Sequence, residues 1–168
     1  MLHQPIQICA GATIAYNTIF TRSHPTLSYL TLKSIPAFQR AQLDLIRKKC
    51  MWIELVRDDP GELEHAHRLR DRLTPTQKLR YRIKTLKTMI PLLQLLVMKR
   101  GEDSGAAFVG WLHEGATVSM VWFTENMHAI NWYFGYCRKL SECADEQERT
   151  ASKRRSNRVA SLGRPPRS

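Results

Sequence analysis

The chain has 168 residues, of which 43% are hydrophobic and 24% are charged. This length fits one domain with its own core, and the composition excludes collagen-like, low-complexity and globally disordered chains. No run of about 18 apolar residues is present, so the sequence predicts no transmembrane segment. The net charge of +11, from 26 Lys and Arg against 15 Asp and Glu, indicates an anionic partner rather than any particular fold.

The charge is unevenly distributed along the chain. Residues 66–100 carry ten basic groups and one acidic group, and residues 149–168 carry seven basic groups and none that are acidic. Residues 101–148, between them, carry two basic and eight acidic groups. Arg supplies 17 of the 26 basic residues, and its planar guanidinium matches phosphate and stacks on bases. Both basic stretches are therefore candidates for contact with a polyanion, the alternative being a solvated helix face and a free tail.

The N-terminal residues 1–34 are predicted to form an extended arm. Residues 13–20 are rich in β-branched and aromatic side chains, which favours one or two short strands, with a helix over 12–20 as the alternative. The N-terminus lacks the features of a signal peptide, so an intracellular protein is expected. None of the cysteines has the close spacing of a zinc site, and free thiols are predicted at Cys9, Cys50, Cys137 and Cys143.

Cap and proline signals predict three helices in the middle of the chain. Ser34 and Pro36 open a helix over 37–57, and Asp59 caps a second that runs to about Leu73. Thr74 and Pro75 open a third that ends near Gly101, with Pro91 expected to bend it. Its apolar stripe at helical spacing consists of Leu79, Ile83, Leu86, Ile90, Leu93 and Val97.

The last third of the sequence predicts its secondary structure less clearly. A helix and a hairpin compete over 106–123, and helix is preferred because the neighbouring segments read as helices. A further helix is expected from Thr124 to about Arg149, followed by a disordered basic tail over 149–168. The predicted fold is mainly α: a helical domain over 35–148 with the extended N-terminal arm and the disordered tail.

The sequence contains none of the motifs that define common catalytic or cofactor sites. GxSxG, the P-loop, GxGxxG and HExxH are all absent, so we expect neither enzymatic activity nor a cofactor. His65 and His67 resemble a metal pair. On a helix, however, residues two apart point about 200° apart and do not share an ion easily, so no metal site is expected.

Aromatic residues are concentrated in one segment. Eight of the fourteen aromatic side chains fall within residues 108–136. Nucleic-acid stacking platforms interleave aromatic with basic residues, whereas the charge here is negative. The segment is therefore interpreted as core or as an interface, for a protein partner or for self-association.

These observations predict a non-catalytic nucleic-acid-binding accessory or regulatory protein, acting on DNA or RNA mainly through phosphate contacts. It would be intracellular, and nuclear if the host is eukaryotic. The alternative is an adaptor that binds an acidic protein or membrane surface through its basic faces and aromatic segment. The candidate nucleic-acid-binding residues are Arg70, Arg72, Arg80, Arg82, Lys84, Lys87, Arg154, Arg155 and Arg158.

Overall fold

The computed structural model describes residues 11–18, 40–87, 94–111 and 120–162. Within these ranges the chain forms one six-stranded mixed sheet with helices packed on it. The fold is therefore α/β, and the prediction of a mainly α, helical protein is wrong.

Six strands and four helices make up the described structure. The helices are α1 (40–47 in its described part), α2 (Pro60–Asp71), α3 (Pro75–Lys78) and α4 (Met127–Leu162). The strands are β1 (Ile14–Asn17), β2 (Met51–Arg57), β3 (Tyr81–Leu86), β4 (Gln94–Lys99), β5 (Gly105–Trp111) and β6 (Met120–Thr124).

The sheet has a parallel half and an antiparallel half. The strand order is β3-β2-β1-β4-β5-β6. β1, β2 and β3 run parallel, with α1 in one crossover and α2 and α3 in the other. β4 is antiparallel to β1, and β4, β5 and β6 form an antiparallel meander. β1 lies at the junction of the two halves. Its Ile14 pairs with Met51 of β2 on one side and with Lys99 of β4 on the other.

Helices cover both faces of the sheet and bury a core on each. One core joins α1 and α2 to Trp52, Tyr81 and Met98. The other joins α4 to Ile53 and Leu55 and to their neighbours on the same face. Because successive strand residues point to opposite faces, a strand buried on both sides is apolar at almost every position. The β2 sequence Met-Trp-Ile-Glu-Leu-Val-Arg follows this rule except at its central Glu54 and at its last residue, the partly exposed Arg57.

Three of the predicted helices are wrong over most of their described length. The helix expected over 37–57 ends at residue 47, and Lys49 adopts a positive φ of 75° in the turn that leads into β2. The third helix is replaced by α3 and two strands, β3 and β4. The expected helix over 106–123 is likewise replaced by β5 and β6. The initiating Ser34 and Pro36, and the bend at Pro91, lie outside the described residues.

Other local signals are confirmed. A helix does begin at Pro60 after Asp59, whose Oδ1 accepts a hydrogen bond from the Gly61 amide (3.0 Å). Thr74 caps α3 in a reciprocal capping box with Gln77, and Pro75 is its first residue. The strand favoured within residues 13–20 is β1.

The two ends of the chain differ from the predicted arm and tail. β1 is not a separate arm, since it occupies an interior position in the sheet between β2 and β4. The C-terminal helix is present, but it begins at Met127, capped by Asn126, and continues to Leu162. Residues 149–162, expected to be disordered, are therefore helical. Among helices in the described ranges, none is long and apolar enough to cross a membrane.

Candidate functional site

Six of the nine predicted basic residues lie on or near β3, one edge of the sheet, and the other three lie on α4. Arg70 is exposed near the end of α2 and acts electrostatically on Tyr81, the first residue of β3. Arg72 is exposed in the turn after α2, Arg80 directly precedes the strand, and Lys87 follows its other end. Six strand residues span about 20 Å. The predicted set therefore forms a line rather than one compact patch.

Two members of the set lie within β3 itself. Arg82 is exposed, and Lys84 is half-buried and forms an ion pair with Asp145 of α4. Residues two apart on a strand share a face, so both side chains lie on the face that α4 covers. The charge of Lys84 is thus matched within the chain, which leaves it a weaker candidate for phosphate contact than its neighbours.

Lys87 and Arg154 come together although 67 positions separate them in the sequence. The Lys87 amide donates a hydrogen bond to Oε1 of Gln147 on α4 (3.0 Å). Both basic side chains line an open groove of about 530 Å³ between the end of β3 and α4. Its lining residues are Lys87, Cys143, Glu146, Gln147, Thr150, Ala151 and Arg154. The two basic stretches of the sequence thus share one surface here.

At the end of this groove, α4 extends into solvent. Residues 152–156 are all exposed. Five consecutive helical residues cover more than one full turn, so the helix has solvent on every side at this point. Lys153, Arg154 and Arg155 lie within this turn. Arg158 also belongs to α4, but its side chain is outside the described part of the structure.

The sequence analysis missed a buried carboxylate network in the parallel half. Glu54 of β2 is 7% exposed and lies opposite Asn17 of β1. Its Oε1 accepts a hydrogen bond from Asn17 Nδ2 (2.5 Å). Its Oε2 accepts bonds from Trp52 Nε1 (2.7 Å), Gln42 Nε2 (3.1 Å) and the Tyr81 hydroxyl (3.4 Å). These four hydrogen-bond donors are all neutral.

Burial controls the titration of this network. It raises the pKa of Glu54 to about 7, from an ordinary value of 4.5, although the four hydrogen bonds act in the opposite direction. The pKa of Tyr81 is also raised, first by burial and then by the nearby Glu54 charge. A carboxyl that titrates near neutrality has the pKa of a general acid or base. Glu54 is enclosed by its donors, however, so the arrangement fits a structural polar core.

The predicted aromatic segment is divided between core and surface. Phe108 packs against one core. Phe134 contacts Tyr16 edge-on (ring centroids 5.0 Å apart), and the Lys99 ammonium lies 4.8 Å from its ring centroid. Among the side chains of this segment that the structure describes, Trp122, Phe123 and Trp132 are instead exposed.

The two candidate metal-ligand histidines differ in environment. His65 is half-buried, and burial lowers its pKa, whereas His67 is exposed. Across the described ranges, no group of three or more His, Cys, Asp or Glu side chains is arranged to hold a metal ion. No protein-family model matches the chain, and no curated protein sequence matches it significantly.

Proposed function

We propose that this chain is a non-catalytic nucleic-acid-binding accessory or regulatory protein that acts mainly through phosphate contacts. The observation that carries the proposal is the solvent-surrounded basic turn of α4, which contains Lys153, Arg154 and Arg155. Lys87 extends this surface across the groove that it shares with Arg154. Arg and Lys side chains of this kind neutralise phosphates without requiring a particular base sequence.

The shape of this surface favours double-stranded DNA. An α-helix fits into the major groove of B-form DNA, which is about 12 Å wide, and continuous basic helices are a known way to occupy it. The major groove of A-form RNA is deep and narrow, and side chains do not read it. A projecting basic helix is thus better matched to a DNA duplex than to an RNA duplex.

Three basic residues near the start of β3, two of them exposed and Arg80 half-buried, extend this basic surface. Arg70, Arg80 and Arg82 continue it along the sheet edge for about 20 Å, the length of six strand residues. Along duplex DNA this corresponds to about six phosphates of one strand. Binding through such a line depends strongly on salt and weakly on base sequence. An intracellular location, nuclear in a eukaryotic host, belongs to the same proposal.

Salt-dependent binding of labelled 20-base-pair DNA and RNA duplexes to the full chain tests this function. The test variant is Lys87→Ala/Arg154→Ala/Arg155→Ala. The matched control, Lys48→Ala/Arg100→Ala/Lys139→Ala, removes three exposed charges elsewhere. We expect the wild type to prefer DNA. The test variant should lose affinity by about tenfold to a hundredfold and reduce the salt slope by about 2 to 3.

Two results would contradict the proposal. One is the absence of binding to either duplex at low salt. The other is an equal loss of affinity in the test and control variants, which would show that total charge matters rather than this surface. Equal affinity for DNA and RNA would reject the groove-binding helix and leave phosphate contact along the sheet edge as the binding mode.

The adaptor hypothesis is favoured by one observation, the exposed aromatic face of α4. Trp132 is 61% exposed and stacks on Tyr136 with an interplanar angle of 3°. The basic edge β3 and the aromatic edge β6 are five strand spacings apart, about 24 Å. A flat acidic or membrane surface therefore meets one edge more easily than both. Binding to anionic lipid vesicles that is lost in Trp132→Ala but not in the triple basic variant would favour this second function.

A further inference from the structure

The outer edge of β6 exposes two large aromatic side chains that are adjacent in sequence. Trp122 is 65% exposed and Phe123 is 43% exposed. Adjacent strand residues point to opposite faces of a sheet. Phe123 lies beside Phe108 of β5, with ring centroids 5.0 Å apart, and Trp122 pairs with Val109. This edge is therefore apolar on both faces of the sheet.

The two edges of the described sheet differ in their protection against strand pairing. Edge strands usually carry charges, prolines or bulges that prevent another strand from adding to them. β3, at one end of the strand order, contains Arg82 and Lys84. β6, at the other end, has the uncharged sequence Met-Val-Trp-Phe-Thr. Among the described strands, none pairs with its outer side.

We infer that β6 pairs antiparallel with β6 of a second copy, about a twofold axis near Trp122. With this axis Trp122 faces its own counterpart and Val121 faces Phe123, so uncharged residues meet throughout. A second copy paired at the β3 edge would instead bring Arg82 and Lys84 close to their counterparts, which is unfavourable. β6 is thus the edge at which this chain is self-complementary.

The charge distribution favours the same partner. The strongly basic residues 66–100 contain β3, and residues 101–148, which contain β6, have an excess of acidic groups. Pairing at β6 places the β3 edges of both copies at the far ends of a continuous sheet. For a chain with a net charge of +11, this arrangement keeps the repulsion between copies low.

The predicted interface is small, so its affinity is modest. At their exposed fractions the two rings offer on the order of 200 Å² per copy, whereas standard interfaces bury about 800 Å² per partner. Backbone hydrogen bonds along the five-residue strand add to this contact. We therefore expect the dimer to have a dissociation constant in the micromolar range. The inference does not rest on nucleic-acid binding, because none of the candidate phosphate contacts lies on β6.

Sedimentation velocity of the full chain over a range of about 1 to 200 µM tests the dimer by mass action. The test variant is Trp122→Lys. Trp132→Lys is the matched control, since Trp132 is 61% exposed but lies on α4. We expect a concentration-dependent monomer–dimer equilibrium in the wild type and in the control. In Trp122→Lys the dissociation constant should rise at least tenfold while circular dichroism shows an intact fold.

Cysteine substitution tests the symmetry without adding a charge. In an antiparallel pair, residues that face each other across a twofold axis lie about 4.5 to 5.5 Å apart at Cα, within reach of a disulfide. Trp122→Cys should therefore form an intermolecular disulfide much faster than Val121→Cys, Phe123→Cys, Trp132→Cys or the wild type.

Three outcomes would overturn the inference. The first is a wild type that stays monomeric over the whole concentration range, which means that another part of the chain covers β6 or that the edge stays open. The second is a dimer that Trp122→Lys leaves unchanged. The third is a dimer weakened equally by Trp132→Lys, which would place the contact on α4. None of these outcomes bears on the DNA-binding proposal, so the two ideas fail separately.

Discussion

The two halves of the sheet are stabilised by different interactions. The parallel half encloses the polar network around Glu54, and α4 is held to its edge by the Lys84–Asp145 ion pair. The antiparallel half is an apolar meander that contributes Leu95 and Val109 to the core beneath α4, and its edge strand is uncharged. We therefore expect pH and salt to change the stability of the parallel half. The stability of the antiparallel half should instead depend on substitutions that alter side-chain size.

The largest expected effect is the pH dependence that Glu54 confers on the parallel half. Its pKa is about 7 in the folded chain against 4.5 ordinarily, so the folded state binds more protons than the unfolded state between these values. The contribution of Glu54 to the free energy of unfolding is then greatest below pH 4.5. It decreases as the pH rises from 4.5 to 7 and is constant above that. The shift corresponds to about 3 kcal/mol in the free energy of unfolding.

Urea unfolding of the wild type and of Glu54→Gln at pH 5 and pH 8 measures this effect. The amide has a similar shape and does not titrate, and its NH2 group loses, to the same extent at both pH values, hydrogen bonds that a carboxylate oxygen accepts. The change between the two pH values, compared for the two proteins, therefore isolates the titration of Glu54. The wild type should lose about 2.5 kcal/mol relative to the variant between the two pH values, slightly less than the full shift because pH 5 already lies above 4.5. A relative gain by the wild type at pH 8 would mean that a cation compensates Glu54, and the description of a neutral network would be wrong.

The stability of the antiparallel half should depend mainly on close packing between its strands. Gly105 begins β5, and a Cβ atom there would lie well inside van der Waals contact with the Met98 carbonyl oxygen of β4. That oxygen belongs to the backbone, so the strands must shift, and we expect Gly105→Ala to destabilise the fold by about 2 kcal/mol. Unlike the Glu54 effect, this loss should be the same at pH 5 and pH 8.

Gly135 supplies the matched control for that substitution. It lies on α4, where an added Cβ meets nothing within 4 Å. Alanine is the better helix former, so Gly135→Ala should stabilise the fold by about 0.5 to 1 kcal/mol. Opposite signs for the two substitutions, read from urea unfolding, would support the packing described for β5. Equal signs would contradict it.

The sequence predicted local capping well and the long-range arrangement poorly. Asp59, Thr74 and Pro75 start helices as expected, because a cap is satisfied within a few residues of the chain. The apolar stripe over 79–97 did not reveal two strands. β4 carries apolar residues on both faces, so the period of two that identifies a strand is obscured there, whereas β3 does alternate apolar and charged residues over 81–84. Pro91 was itself evidence against one continuous helix.

The site shows the same division between local and distant information. The basic composition of the C-terminal segment was enough to predict that Arg154 and Arg155 are exposed. That Lys87 and Arg154 line the same groove depends on how α4 crosses the sheet, which the sequence does not show. The role of Glu54 was hidden because its donors are up to 37 positions away. One signal was available: a lone carboxylate within the apolar run of β2 must find hydrogen-bond donors if that run is buried.

An effect smaller than those of Glu54 and Gly105 concerns the attachment of α4 to the basic edge of the parallel half. The side chains of Lys84 and Asp145 are 16% and 36% exposed, so solvent screens this ion pair less than the exposed Arg68–Glu64 pair on α2, whose side chains are 74% and 63% exposed. A double-mutant cycle with Lys84→Met and Asp145→Asn should give a coupling energy of about 1 kcal/mol. The cycle at Arg68 and Glu64 should give about 0.3 kcal/mol.

Because the charge of Lys84 is matched by Asp145, Lys84→Met should also reduce the salt slope of DNA binding less than Lys87→Met does. A coupling no larger than that of the exposed pair, together with equal changes in the salt slope, would show that Lys84 faces phosphate rather than α4.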